Sequence, residues 1–180
     1  MWRYFTPAAA FIVLGGLFAY ALVRIQNGTL DPREIKSPLL GKPAPTFVLP
    51  TVADKRVPFD SATLKGKPYL VNVWGTWCPS CREEHAALLV LSRRIGLPLI
   101  GIDWKDDTAL AQQYLAQLGN PYTETVADDE GRVAIDWGVY GAPETFLVGA
   151  DGQVLVKFAG AMTEAVWAEK FAPFLPGGRR

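Results

Sequence analysis

Two cysteines stand three residues apart in the run Trp77-Cys78-Pro79-Ser80-Cys81, directly after an apolar stretch over 69–74. Positions three apart on a helix share a face, so the pair can close into a disulfide. If a helix opens at this motif, Cys78 lies among unpaired backbone N–H groups at the positive end of the helix dipole, which stabilise a thiolate. The thiolate is the species that attacks disulfides, which makes Cys78 the candidate nucleophile and Cys81, one turn deeper, the resolving thiol. Pro79 has no N–H to give the Cys78 sulfur, so stabilisation of that sulfur must come from other donors.

Other chemistries compete for the same pair. A tetrahedral zinc site needs four ligands, but no second cysteine pair exists and the single histidine, His85, is on the same helix. A static staple across so short a loop would restrict the unfolded chain little. Cu(I) favours soft thiolates, and two suffice, so the residues alone leave a copper carrier open. Redox exchange is the preferred chemistry, and neither a metal nor a cofactor is expected.

The elements that must hold this dithiol follow from patterning. Residues 46–49 and 57–59 are short strand candidates around a turn at 53–55. The run 69–74, apolar except for Asn72, suits a central strand covered on both faces. A helix over 78–94 carries Ala86, Leu88, Leu89 and Leu91 on one side, and 97–102 gives a second buried strand. A helix over 108–118 stops at Gly119, a strand covers 123–127, and a short helix covers 132–137. Strands 145–148 and 154–158 flank Asp151-Gly152, a strong hairpin signal. A last helix spans 163–174, with Thr163 as its cap and Val166, Trp167 and Phe171 turned inward. This order predicts an α/β fold with a mixed central sheet flanked by helices.

Ahead of it, residues 4–23 carry no charge and lie between Arg3 and Arg24. A helix of about 20 such residues spans roughly the 30 Å of a bilayer core. Ala19-Tyr20-Ala21 offers a signal-peptide cleavage pattern, yet the apolar stretch exceeds the usual length of such a peptide, which favours an uncleaved transmembrane anchor. Basic residues lie on both sides, so their count does not orient it. The expected organisation is an anchor at 1–24, a tether at 25–40 and a globular domain at 41–180. Basic and acidic residues balance at 18 each, which gives no indication of nucleic-acid binding.

The element order resembles the thioredoxin fold, and Trp77-Cys78-Pro79-Ser80-Cys81 resembles its active-site motif. More narrowly, VNVWGTWCPSCREEH at 71–85, WKDD at 104–107, GVYGAPETF at 138–146 and GKPAPTF at 41–47 resemble the membrane-anchored CcmG (DsbE) family. The resemblance covers about 41–175 and implies a thioredoxin-like domain behind a transmembrane helix. It also implies that Pro143, just before the hairpin, is a cis-proline beside the dithiol, and that the Ala142 backbone pairs with an incoming peptide. Trp77 and Pro79 would line the same partner-binding rim. Ordinary thioredoxins place a buried aspartate where this chain has Asn72, which cannot accept the Cys81 proton as a carboxylate would. Glu84 and Glu144 are the candidate replacements. His85 is expected to pack rather than catalyse, and WKDD either shapes a specificity groove or caps the next helix through Asp106 or Asp107.

The function implied is a periplasmic thiol-disulfide oxidoreductase, single-pass in the bacterial inner membrane, that acts as a reductant in cytochrome c maturation. Its partners would be an apocytochrome c or a haem-ligation thiol protein, and a membrane thiol transporter of the DsbD or CcdA type that supplies electrons. The alternatives are a general periplasmic reductase or oxidase on the same fold, and a Cu(I)-carrying assembly factor.

Overall fold

The computed structural model describes residues 2–26 and 37–175. The chain divides into two compact units, Met1–Lys36 and Ser37–Arg180. In the first, helix α1 runs from Trp2 to Gln26. Among the described residues no helix is long and apolar enough to cross a membrane. The anchor expected at 1–24 therefore rests on the sequence. Most of the tether expected at 25–40, residues 27–36, lies outside the described residues.

The second unit already includes the end of that stretch. Ser37 is buried, and Leu40 bridges to Val154 in parallel. A separate two-stranded sheet follows, β1 (Val48–Pro50) antiparallel to β2 (Pro58–Asp60), one to two residues later than patterning predicts. The main elements are β3 (Tyr69–Trp74), α2 (Pro79–Ile95), β4 (Leu99–Trp104), α3 (Thr108–Leu118), β5 (Glu124–Asp128), α4 (Arg132–Asp136), β6 (Glu144–Val148) and β7 (Val154–Ala159). Strand order in the five-stranded sheet is β5-β4-β3-β6-β7, with β3, β4 and β5 parallel and β6 and β7 antiparallel to their neighbours. This is the predicted mixed sheet, with the thioredoxin-like arrangement.

Every residue of the central strand β3 is buried, as its near-continuous apolar run requires. Alternation divides its side chains between two cores. Leu70 and Trp74 face α2 and α3 along with Leu88, Leu99 and Tyr114, while Val71 and Val73 face Trp137 and Phe146. Gly101 on β4 is what the first core needs, because a Cβ there would meet the Tyr122 ring at 2.8 Å. That ring in turn stacks on Trp74, with centroids 5.6 Å apart. One expected element is irregular. Residues 163–174 form a short helix α5 (Glu164–Val166), then a π turn (Trp167–Phe171) and a 3₁₀ turn (Ala172–Phe174), instead of one regular helix. Pro173 explains part of this, since it can neither donate to the ladder nor accommodate the carbonyl four residues before it.

Candidate active site

Cys78 is the N-cap of α2 and Pro79 occupies the first helical turn, where a missing N–H costs nothing. The two sulfurs form a disulfide, with Cα atoms 5.3 Å apart. The Cys81 N–H donates to the Cys78 sulfur at 3.1 Å. This is the donor that Pro79 could not be, and it comes from the resolving residue itself. Both cysteines are almost fully buried, while Trp77 beside them is 49 % exposed. The Trp77 indole N–H donates to the Trp104 carbonyl at 3.1 Å, and its ring stands edge-on to Trp104. Gly75 permits this fold-back, because a Cβ there would lie 2.5 Å from the indole nitrogen.

The Ala142–Pro143 peptide is cis. Ala142 is partly buried and packs against the same extended core cluster to which both cysteines belong. Thr145, Glu144 and Asn72, Val73 are paired across β6 and β3, which ties this segment to the strand leading into the motif.

Behind Cys81 lies a polar network in an apolar core. Glu84, one turn further along the same face of α2, is 1 % exposed. Its Oε1 accepts from Asn72 Nδ2 at 2.9 Å, and its Oε2 accepts from the Met162 N–H at 2.6 Å. Asn72 also donates to Thr145 Oγ1 at 3.0 Å and accepts from the Tyr122 hydroxyl at 2.8 Å. Burial pushes the Glu84 carboxyl up from 4.5 to about 7, against the pull of the Met162 and Asn72 donors, which favour the ionised form. A group poised there exchanges a proton readily at neutral pH. The amide of Asn72 presents both a donor and an acceptor, so it can face Glu84 in either protonation state.

This placement has a cost in stability whose sign is fixed. The folded protein holds the Glu84 proton up to about 7 while the unfolded chain releases it near 4.5, so stability falls as pH rises through that window and levels off above it. The full difference is about 3 kcal/mol. Urea unfolding of wild type and Glu84→Gln from pH 4 to 8 should show wild type losing about that much relative to the variant. A pH-independent difference would mean that Glu84 titrates as an ordinary surface carboxyl.

Glu144, the other candidate, is committed elsewhere. Its Oε2 meets the Lys157 ammonium at 2.9 Å, with both side chains almost wholly buried. Its Oε1 accepts the Tyr140 N–H at 3.1 Å, and Lys157 also donates to the Gly138 carbonyl at 2.7 Å. The pair thus braces the loop that carries Pro143. His85 packs as expected: its Nε2 lies 2.9 Å from the Gly119 carbonyl oxygen and its ring is edge-on to Tyr114. Burial is the main cause of its lowered pKa. Of the WKDD residues, Asp107 caps α3 by accepting from the Ala109 and Leu110 N–H groups. Asp106 instead accepts from the N–H and the hydroxyl of Thr76, in the loop before Cys78.

Sequence reasoning did not single out Tyr122, Thr145, Lys157 or the Asp106–Thr76 tie. Lys157 had a weak signal, as the only charge in the strand VLVKFA. Among the described residues no group of three or more His, Cys, Asp or Glu is placed to hold a metal ion.

Comparison with known proteins gives a consistent result. The Redoxin family model matches residues 39–170. The thiol:disulfide interchange protein DsbE of Allochromatium vinosum is 44% identical over 173 residues, covering 96% of this chain and 92% of that protein. The Pseudomonas aeruginosa protein of the same name is 47% identical over 159 residues, or 88% of each. The Escherichia coli one is 39% identical over 168 residues, 93% of this chain and 90% of the other. Among solved structures, a secreted Mycobacterium tuberculosis disulfide oxidoreductase described as homologous to E. coli DsbE superposes with a TM-score of 0.59 at 25% identity, over 66% of this chain and 89% of that one. A thioredoxin-family thiol:disulfide interchange protein from Chlorobium tepidum reaches 0.56 at 32% identity, over 68% and 88%.

Proposed function

This chain belongs to the DsbE (CcmG) family of thiol-disulfide oxidoreductases, and from that premise we propose that it is the periplasmic reductant that keeps apocytochrome cysteines ready for haem attachment. The observation that carries the proposal is the Cys78–Cys81 pair at the start of α2 with a buried, readily protonated Glu84 one turn behind it.

In the reduced protein the Cys78 thiolate attacks one sulfur of a partner disulfide. The other partner sulfur leaves and takes up a proton, and a mixed disulfide remains. Cys81 then gives its proton to Glu84 and attacks the Cys78 sulfur. The partner's second sulfur departs and is protonated, so the partner gains two electrons and two protons while Cys78–Cys81 becomes the disulfide. Glu84 takes the proton-accepting role because among the described residues no cation pairs with its carboxyl, whereas Glu144 is paired with Lys157 and acts by bracing the loop. The Ala142 backbone next to Pro143 receives the partner as an added strand, and Trp77 with Pro79 forms the rim. A strand-like contact of this kind tolerates varied partner sequences.

The N-terminal segment holds the domain at the inner membrane, on the periplasmic side. A membrane thiol transporter of the DsbD or CcdA type returns electrons to the disulfide. The oxidised peptide Cys-x-x-Cys-His is the direct substrate test. Mixed with the reduced full-length protein, it should emerge as a dithiol while Cys78–Cys81 closes, with alkylation and mass as readout. A peptide that stays oxidised in the presence of reduced protein would sink the proposal.

A further inference from the structure

The loop over 75–78 delivers Cys78 to the head of α2, and one carboxylate holds it. Asp106 accepts the Thr76 N–H on Oδ2 and the Thr76 hydroxyl on Oδ1, the latter at 2.9 Å. The Asp107 N–H donates to the same Oδ1 at 2.8 Å, and the Trp77 indole ties the next residue to the Trp104 carbonyl. Beneath this clamp lies Asp103, paired with Trp74 in the parallel β3–β4 register. It is 1 % exposed, and among the described residues neither of its oxygens receives an N–H or O–H donor. The Asp106 carboxyl acts on it through its charge and through a side-chain hydrogen bond, both of which favour a protonated Asp103. A buried carboxyl beside a second, partly buried one is hard to ionise, whereas one proton between them turns repulsion into a hydrogen bond.

We propose that Asp103 is a positioning residue for the dithiol: its carboxyl donates a hydrogen bond to Asp106, which fixes Thr76 and with it the loop that carries Cys78. The proposal rests on Cys78 being the attacking sulfur, but the clamp itself is independent of exchange chemistry. The charged groups facing Asp103 come from three elements. Asp106 lies between β4 and α3, Asp129 follows β5, and Lys55 lies in the β1–β2 turn. Lys55 alone favours ionisation of Asp103, and its ammonium is already engaged by Asp129 at 2.6 Å. Burial first, then Asp106, raises the Asp103 carboxyl from 3.8 to about 8. Below that value the proton is in place and the loop is held. Above it, two negative charges face each other and the hold on Thr76 weakens.

The oxidised protein is the clean system for a test, because its cysteines are joined and do not titrate. In the full-length oxidised protein in detergent micelles, the amide resonance of Thr76 should shift with an inflection near pH 8. Asp103→Asn keeps a donor aimed at Asp106, so its Thr76 resonance should stay at the low-pH wild-type position with no such inflection. In the reduced protein, the alkylation rate of Cys78 should carry the same extra step in wild type and lack it in Asp103→Asn. A Thr76 amide that is unmoved between pH 6 and 9.5 in wild type, or that titrates identically in the variant, overturns the proposal. Because the wild-type titration needs no substitution, a variant that fails to fold still leaves that half of the test decisive. Failure of peptide reduction with an intact Thr76 inflection would count against the redox function alone.

Discussion

Cys81→Ser is expected to lock the protein to its partner. The reduced variant keeps the Cys78 thiolate at the N-terminus of α2, so the first attack proceeds and the mixed disulfide forms. Resolution then fails, because serine offers a hydroxyl where a thiolate is required. In wild type the two Cα atoms are 5.3 Å apart, so the second sulfur is already within reach of the first. Release in the variant depends on external thiol and should slow on the order of a thousandfold or more, since well-oriented intramolecular steps carry effective molarities far above any free thiol concentration. Gel shift under non-reducing conditions, with a Cys-x-x-Cys-His peptide as the partner, checks this directly. Cys78→Ser should give no adduct at all. Adducts formed by Cys78→Ser but not by Cys81→Ser would reverse the two roles.

The second large effect is on stability. Lys157→Ala leaves the Glu144 carboxylate buried without its counter-charge and removes the donor to the Gly138 carbonyl. Breaking one side of a buried ion pair costs about 3–5 kcal/mol. For a domain of this size that lowers the melting temperature by roughly 10 °C or more. The Lys157 ammonium also lies 4.6 Å from the centre of the Tyr140 ring, so the loop leading to Pro143 loses a second contact. Pairing Lys157→Met with Glu144→Gln should restore most of the loss, because the uncompensated charge, rather than the missing contact, dominates the cost. Thermal unfolding of the oxidised single and double variants measures both. A single-variant loss under about 1 kcal/mol would place the pair among solvated surface bridges.

Much of this architecture was legible in local patterns. The run of 69–74 identified the central strand, Asp151-Gly152 marked the β6–β7 hairpin, and the spacing of Cys78 and Cys81 placed the dithiol where α2 begins. The cis bond at Pro143 followed from the resemblance, not from any local pattern. What the sequence could not convey lies in contacts between distant residues. Glu84 and Met162 are 78 positions apart, Asn72 and Thr145 are 73 apart, and Thr76 and Asp106 are 30 apart. No periodicity links such pairs; only the closing of the sheet brings them together. Glu84 and Glu144 were legible as acids near the dithiol, yet their difference depends on Lys157, whose strand pairs with β6 and carries the ammonium to Glu144 alone of the two. The C-terminal segment also escaped, because amphipathic spacing marks which side chains turn inward and does not encode the π and 3₁₀ turns that place Trp167 and Phe171 there.

The proposed function requires that this dithiol give electrons to its partner. Equilibrating the full-length protein against glutathione and thioredoxin standards, with alkylation of Cys78 and Cys81 as readout, measures that tendency directly. A reductant should show a potential near that of thioredoxin, roughly −270 mV. A value near the strongly oxidising end, about −120 mV, would contradict the proposed function and make the protein a donor of disulfides.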